Sequence, residues 1–146
     1  MDYQVIPECY VDTNLIETLV PPRERYNHQK GCSNVTKIMQ GELAGSFALG
    51  IIDRDRHQVA YLEAFQEVYN TGHLILHKHP TRHHYIIQIN PAAERFILTN
   101  AAAVNIRLED YGLPSDFEQL KKLPVKTMLV LEGYSEHSVN KTLPIY

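Results

Sequence analysis

Tryptophan is absent from this 146-residue chain, cysteine occurs twice, and no apolar run approaches the ~18 residues that a membrane-spanning helix needs. No membrane association is therefore expected. Cys9 and Cys32 are too few for a disulfide framework and lack metal-type spacing, so two reduced thiols in a cytoplasmic protein are the expectation. Without tryptophan, aromatic surface falls to nine tyrosines and four phenylalanines. They are scattered, as half-buried rings with a wet hydroxyl would be, rather than interleaved with cations along a base-stacking groove. Positive charge is not in excess either. Fourteen Lys and Arg against 17 Asp and Glu leave a net charge of −3, which excludes a uniformly basic coat for nucleic acid but not a local patch. Met1-Asp2-Tyr3-Gln4 lacks the basic-then-apolar order of a signal peptide. There is no internal repeat, low-complexity segment or interior linker. What remains is 44% hydrophobic and 21% charged, enough for one folded domain over 1–146.

Val5, Ile6, Tyr10 and Val11 predict a first strand over Tyr3–Val11, with Pro7 marking an end, an edge or a bulge. Asn14 and Glu17 have capping-box spacing, and Leu15, Ile16, Leu19 and Val20 make an apolar helical face that Pro21-Pro22 stops. Arg23 to Gly31 reads as a basic loop. Ser33 is a cap for a second helix, in which Val35, Ile38, Met39 and Leu43 recur on one face. Phe47–Ile52 is an apolar run that reads as a strand buried on both sides. A third helix is expected over Gln58–Tyr69, then a turn at Asn70-Thr71-Gly72. Strands are expected at His73–His77 and Tyr85–Asn90, where an antiparallel hairpin also fits. Asn90-Pro91 should start a helix running to about Val104, with Phe96 and Ile97 buried and Arg95 in solvent. Ser115 and Glu118 start a short helix ending near Lys122, and Thr127–Leu131 is a candidate last strand. Strands alternating with helices predict an α/β fold with a mainly parallel sheet.

Ligands of open α/β sheets bind beyond the carboxyl ends of the strands. Asp53-Arg54-Asp55 stands directly after the apolar run Phe47–Ile52, and Glu8 stands near the end of the first strand. Carboxylates gathered at one sheet edge repel unless a cation joins them, and a hard divalent ion such as Mg²⁺ suits oxygen ligands. Such an ion polarises a phosphodiester and generates a hydroxide nucleophile. The ordinary alternatives are a solvated strand end, with Arg54 and Arg56 neutralising the aspartates, and Asp12 as a helix cap. The histidines at 77, 79, 83 and 84 lack a cysteine or carboxylate to complete a zinc set and read as a solvated loop. Lys78 and Arg82 in that segment, with Arg54, are candidate phosphate contacts.

Glu8-Cys9-Tyr10-Val11-Asp12, the later Asp53-Arg54-Asp55, and the stretch Ile89-Asn90-Pro91-Ala92-Ala93-Glu94-Arg95-Phe96-Ile97 together resemble the motifs of Toprim (topoisomerase–primase) domains. They are similar in particular to the Toprim module of the overcoming-lysogenization-defect nucleases and its stand-alone relatives. The resemblance covers about residues 3–98 and leaves 99–146 as an extension. It implies a three-layer sandwich with a mainly parallel central sheet and helices on both faces. It also implies Mg²⁺- or Mn²⁺-dependent phosphodiester hydrolysis on DNA or RNA. Glu8 would be general acid/base and metal ligand, and Asp53 and Asp55 metal ligands. Asp12 and Glu94 would orient these groups or serve a second metal. Cys9 stands where that family usually has glycine, a residue that permits positive φ or close backbone approach. A nuclease this small has little surface for gripping a duplex and would work with a partner protein. The alternative is a non-catalytic Toprim-like binding or assembly module of a defence or mobile-element system. A receiver-like phosphoacceptor domain fits less well, because Lys126 precedes its candidate strand instead of following it.

Overall fold

The computed structural model describes residues 2–54 and 59–122. Asp55 and the candidate strand Thr127–Leu131 lie outside the described residues. The elements in chain order are β1 (Val5–Pro7), α1 (Tyr10–Leu19), α2 (Cys32–Gln40), β2 (Ala48–Asp53), β3 (Gln66–Asn70), β4 (Leu74–Lys78), β5 (His84–Ile89), α3 (Ala93–Ala103) and α4 (Phe117–Lys121). Short 3-10 turns occupy Asp2–Gln4, Ala60–Ala64 and Leu108–Tyr111.

One five-stranded sheet has the order β1-β2-β5-β4-β3. β1, β2 and β5 run parallel, in the register Pro7↔Ile51 and Ile51↔Ile87. β4 and β3 then continue antiparallel. The fold is thus α/β with a mixed sheet, not the mainly parallel one expected. The difference lies in residues 66–70, expected to close a helix. Gln66–Asn70 is instead an edge strand paired with β4 through the turn at Asn70-Thr71-Gly72. Val68 and Tyr69 are strand formers, and in this edge position both stay exposed. Among the described residues, the 3-10 turn Ala60–Ala64, with Leu62 buried, is what remains of the expected helix.

The alternation of β2 explains the core. Ala48, Gly50 and Ile52 turn to one face, where Val35, Met39 and Leu43 pack with Ile6, Leu62 and Ile86. Leu49 and Ile51 turn to the other, where Val11, Leu15 and Ile16 of α1 and Ala93 and Phe96 of α3 gather. Phe96 and Ile97 are half-buried rather than fully inside, and Arg95 is exposed, its guanidinium 4.3 Å from the Phe117 ring centre. A Cβ on Gly50 would meet Val35 Cγ1 at 2.9 Å and Met39 Sδ at 3.2 Å. The methionine can swing aside; the β-branched valine on its helix cannot. Gly50→Ala is expected to cost about 1–3 kcal/mol in urea unfolding, and an unchanged midpoint would show that α2 can lift off the sheet.

Candidate functional site

The parallel pairing of β1 and β2 brings their carboxyl ends side by side, and with them Glu8 and Asp53. The Glu8 amide donates to Ile51 O at 2.9 Å, which locks the end of β1 against β2. Its carboxylate then reaches two further amides. Oε1 accepts from Cys32 N at 3.0 Å and Oε2 from Asp53 N at 2.9 Å. Asp53 Oδ1 in turn accepts from Ala93 N at 3.0 Å.

Cys32 opens α2 and Ala93 opens α3. The residues in the capping positions, Gly31 and Ala92, make no side-chain cap hydrogen bond. Two carboxylates from strand ends therefore supply what the local sequence does not, at helix termini whose free N–H groups and dipole favour negative charge. The expected local caps, Ser33 and Asn90, do other things. Ser33 lies inside α2, and Asn90 Nδ2 donates to Gly72 O at 2.8 Å, bracing the β3–β4 turn.

Asp12 is the third member. It lies in the first turn of α1, which begins four residues before the expected cap at Asn14 because Cys9 caps it. The Cys9 thiol sulfur accepts from Asp12 N at 3.5 Å. Asp12 is only 1% exposed, and neither carboxylate oxygen has a partner in full hydrogen-bond geometry, the Cys9 thiol and amide interacting with it more loosely. Burial, followed by the negative charge of Asp53 and then that of Glu8, pushes its pKa up to about 8; the Cys9 thiol and amide pull the other way. Asp12, Asp53 and Glu8 are thus close enough to interact electrostatically. Burial and then the Asp12 charge hold the Cys9 thiol well above its ordinary range, so it stays protonated and non-nucleophilic. Cys9 has φ −136, ordinary extended backbone. This position makes no conformational demand for the glycine usual in Toprim domains.

Glu94 is buried in the first turn of α3, one residue beyond the amide that Asp53 caps. Arg54 is exposed at the same edge, its amide bonded to Ile89 O at 2.8 Å. Lys78 and Arg82 are elsewhere. Lys78 pairs with Tyr85 and Arg82 precedes β5, so both lie at the opposite end of the parallel strands, roughly 15–20 Å away across the length of β2. There they neighbour a ring cluster of Phe47, His83 and Tyr85, with the Lys78 ammonium 5.9 Å from the Tyr85 ring centre.

The histidine segment is not simply a solvated loop. His84 is fully buried in β5; its Nε2–H donates to Leu43 O at 2.9 Å, which leaves Nδ1 to accept from the Tyr61 hydroxyl at 2.7 Å. His77 Nε2 meets Gln88 Oε1 at 3.0 Å, and His79 Nδ1 accepts from the amides of Thr81 and Arg82. The alternation of β5 would have indicated His84, since it shares a face with Ile86.

Among the described residues no group of three or more His, Cys, Asp or Glu side chains is arranged to hold a metal ion. The donor chemistry nonetheless suits a hard cation in part. Asp12 offers two oxygens without full hydrogen bonds beside the Asp53 carboxylate, while both Glu8 oxygens already accept an amide. No helix among the described residues is long and apolar enough to cross a membrane. Comparison with protein-family models, with curated proteins and with solved structures gave no match.

Proposed function

We propose that the protein is a Toprim-like phosphodiesterase that hydrolyses DNA or RNA with Mg²⁺ or Mn²⁺. The observation that carries this reading is Asp12: a fully buried carboxyl group with neither oxygen in a full hydrogen bond, set beside Asp53 and Glu8 at the carboxyl edge of parallel strands. An isolated buried carboxyl of this kind calls for a proton or a cation. Asp53 and Asp12 would hold the ion, with Asp55 as the further ligand that the sequence motif supplies. When bound, the ion polarises the phosphodiester and offsets the clustered negative charge. Glu8, fixed by two amides, holds a proton acceptor at a defined position. Arg54, exposed on the same edge, is a cation for a substrate phosphate there.

One observation favours the second reading, a non-catalytic Toprim-like module that binds nucleic acid or a partner protein. Glu8 and Asp53 are engaged as caps of α2 and α3, which is a structural duty. The experiment that separates the two is a thermal melt with and without millimolar Mg²⁺ or Mn²⁺, followed by cleavage of labelled single- and double-stranded DNA and RNA. Wild type is expected to gain stability from the ion by linkage and to cut in its presence. Asp53→Asn keeps an oxygen for the Ala93 amide, so it should fold but lose both effects. An ion-induced rise in melting temperature without cleavage favours the binding module; neither a rise nor cleavage ends the metal reading.

A further inference from the structure

Aromatic and basic residues that are scattered along the chain meet at the amino end of the parallel strands. Alternation along β5 turns Ile86 toward α2 and Tyr85 to the opposite face, where Leu49 of β2 and Lys78 of β4 are its register partners. α1 and α3 gather over the carboxyl half of that face, around Ile51 and Ile89, while Phe47 and Tyr85 at the other end stay half-buried. The ring centres of Phe47, His83 and Tyr85 are 5.4, 5.9 and 5.8 Å from one another. Lys78, Arg82 and His83 are exposed around them. We propose that this cluster binds single-stranded nucleic acid, with a base stacked on the exposed rings and Lys78 and Arg82 on the flanking phosphates.

Charge, ring geometry and order each bear on this. Residues 68–93 contain no Asp or Glu, and neither do residues 43–52, so no carboxylate from these segments offsets Lys78 and Arg82. Glu8, Asp12, Asp53 and Glu94 all belong to the other end of the sheet. A polyanion is therefore drawn to the amino end. The Lys78 ammonium stands 5.9 Å from the Tyr85 ring centre, which puts a ring and a cation within the span of one nucleotide. Phe47 meets His83 at 81°, so a base lying on one ring meets the edge of another. Bases inside a duplex have both faces covered by their neighbours, and this surface favours a single strand whose bases are free to stack. The segment that carries Arg82 and His83 is already ordered, because His79 Nδ1 accepts from the amides of Thr81 at 3.2 Å and Arg82 at 3.1 Å. The site rests on the proposal that the chain acts on DNA or RNA, but it needs neither metal nor cleavage.

The test is fluorescence anisotropy of the full chain with labelled oligothymidylate, in a chelator so that nothing is cut. An abasic phosphodiester chain and a duplex of the same length are the comparators. Wild type is expected to bind oligothymidylate at least about tenfold more tightly than either, the advantage of one stacked base. His83→Ala and Tyr85→Leu should each remove most of that advantage and leave abasic binding unchanged. His83 is exposed, so His83→Ala keeps the test open should Tyr85→Leu fail to fold. Lys78→Gln and Arg82→Gln should weaken both single chains and each reduce the salt slope by about 0.7. Equal affinity for oligothymidylate and the abasic chain would mean an unspecific cationic patch and overturns the proposal. Preference for the duplex, ring variants that bind as wild type does, or no binding at all overturns it as well. Binding in chelator without cleavage in Mg²⁺ or Mn²⁺ upholds this site and ends the hydrolysis reading; cleavage by a chain whose ring variants bind normally does the reverse.

Discussion

Replacing Asp12 with asparagine should stabilise the protein, and the gain should grow with pH. In the folded state its pKa is raised from 3.8 to about 8, chiefly by burial and then by Asp53. Between those values the folded chain keeps a proton that the unfolded chain has released. Stability therefore falls as pH rises through this window, and the loss is complete once pH exceeds the folded value. Below the unfolded pKa, wild type and Asp12→Asn should be about equally stable, since a neutral carboxyl and an amide are near-isosteres. Above the folded pKa the gap should reach several kcal/mol, because the window costs about 1.36 kcal/mol for every tenfold change in proton concentration across it. Urea midpoints measured at intervals across the range will show it: the two curves should meet in acid and part toward alkali. Parallel curves would mean that water or a counter-ion reaches the Asp12 oxygens. Mg²⁺, if it binds here, should close part of the gap at high pH in wild type alone.

Glu8→Ala should be the most damaging single change at this edge of the sheet. It strands the amides of Cys32 and Asp53, and leaving a buried donor unmet costs about 1–3 kcal/mol. The expected loss is about 2–5 kcal/mol, against less than about 0.5 kcal/mol for an ordinary surface glutamate. Glu8→Gln keeps one acceptor oxygen but turns an NH₂ toward an amide donor, so it should fall between. Hydrogen exchange gives a second readout, because the first turn of α2 should lose protection when its remote cap is gone. A Glu8→Ala protein as stable as wild type would mean that water satisfies both amides and that the carboxylate has no structural duty.

The same two residues show how the sequence could be right about place and incomplete about role. Glu8 and Asp53 were legible as strand-end acids because β2 is an unbroken apolar run that stops in charge. Their work as caps was not legible, because the amides they accept lie 24 and 40 residues further along the chain. Local rules pointed to Ser33 and Asn90 for that work, and to Asn14 for α1. Each was displaced, since a cap is decided by which acceptor tertiary folding delivers to the free N–H groups. Residues 66–70 went from expected helix to strand for a related reason. Leu62, Phe65 and Tyr69 fit a helical face, but β4 offered Glu67, Tyr69 and Asn70 ladder partners.

The sequence by itself determined the α/β class, the parallel pairing implied by β2, both amphipathic helices that bracket it, and the sheet edge on which the acids fall. These are carried by hydrophobic period and by charge at strand ends, both properties of neighbouring residues. Only the tertiary structure decided that the sheet is mixed, that Lys78 and Arg82 stand at the far end from Glu8, that His84 is core, and that Asp12 is buried beside other acids. Those depend on strand order, register and burial, which arise between segments far apart in the chain and leave no local pattern to read.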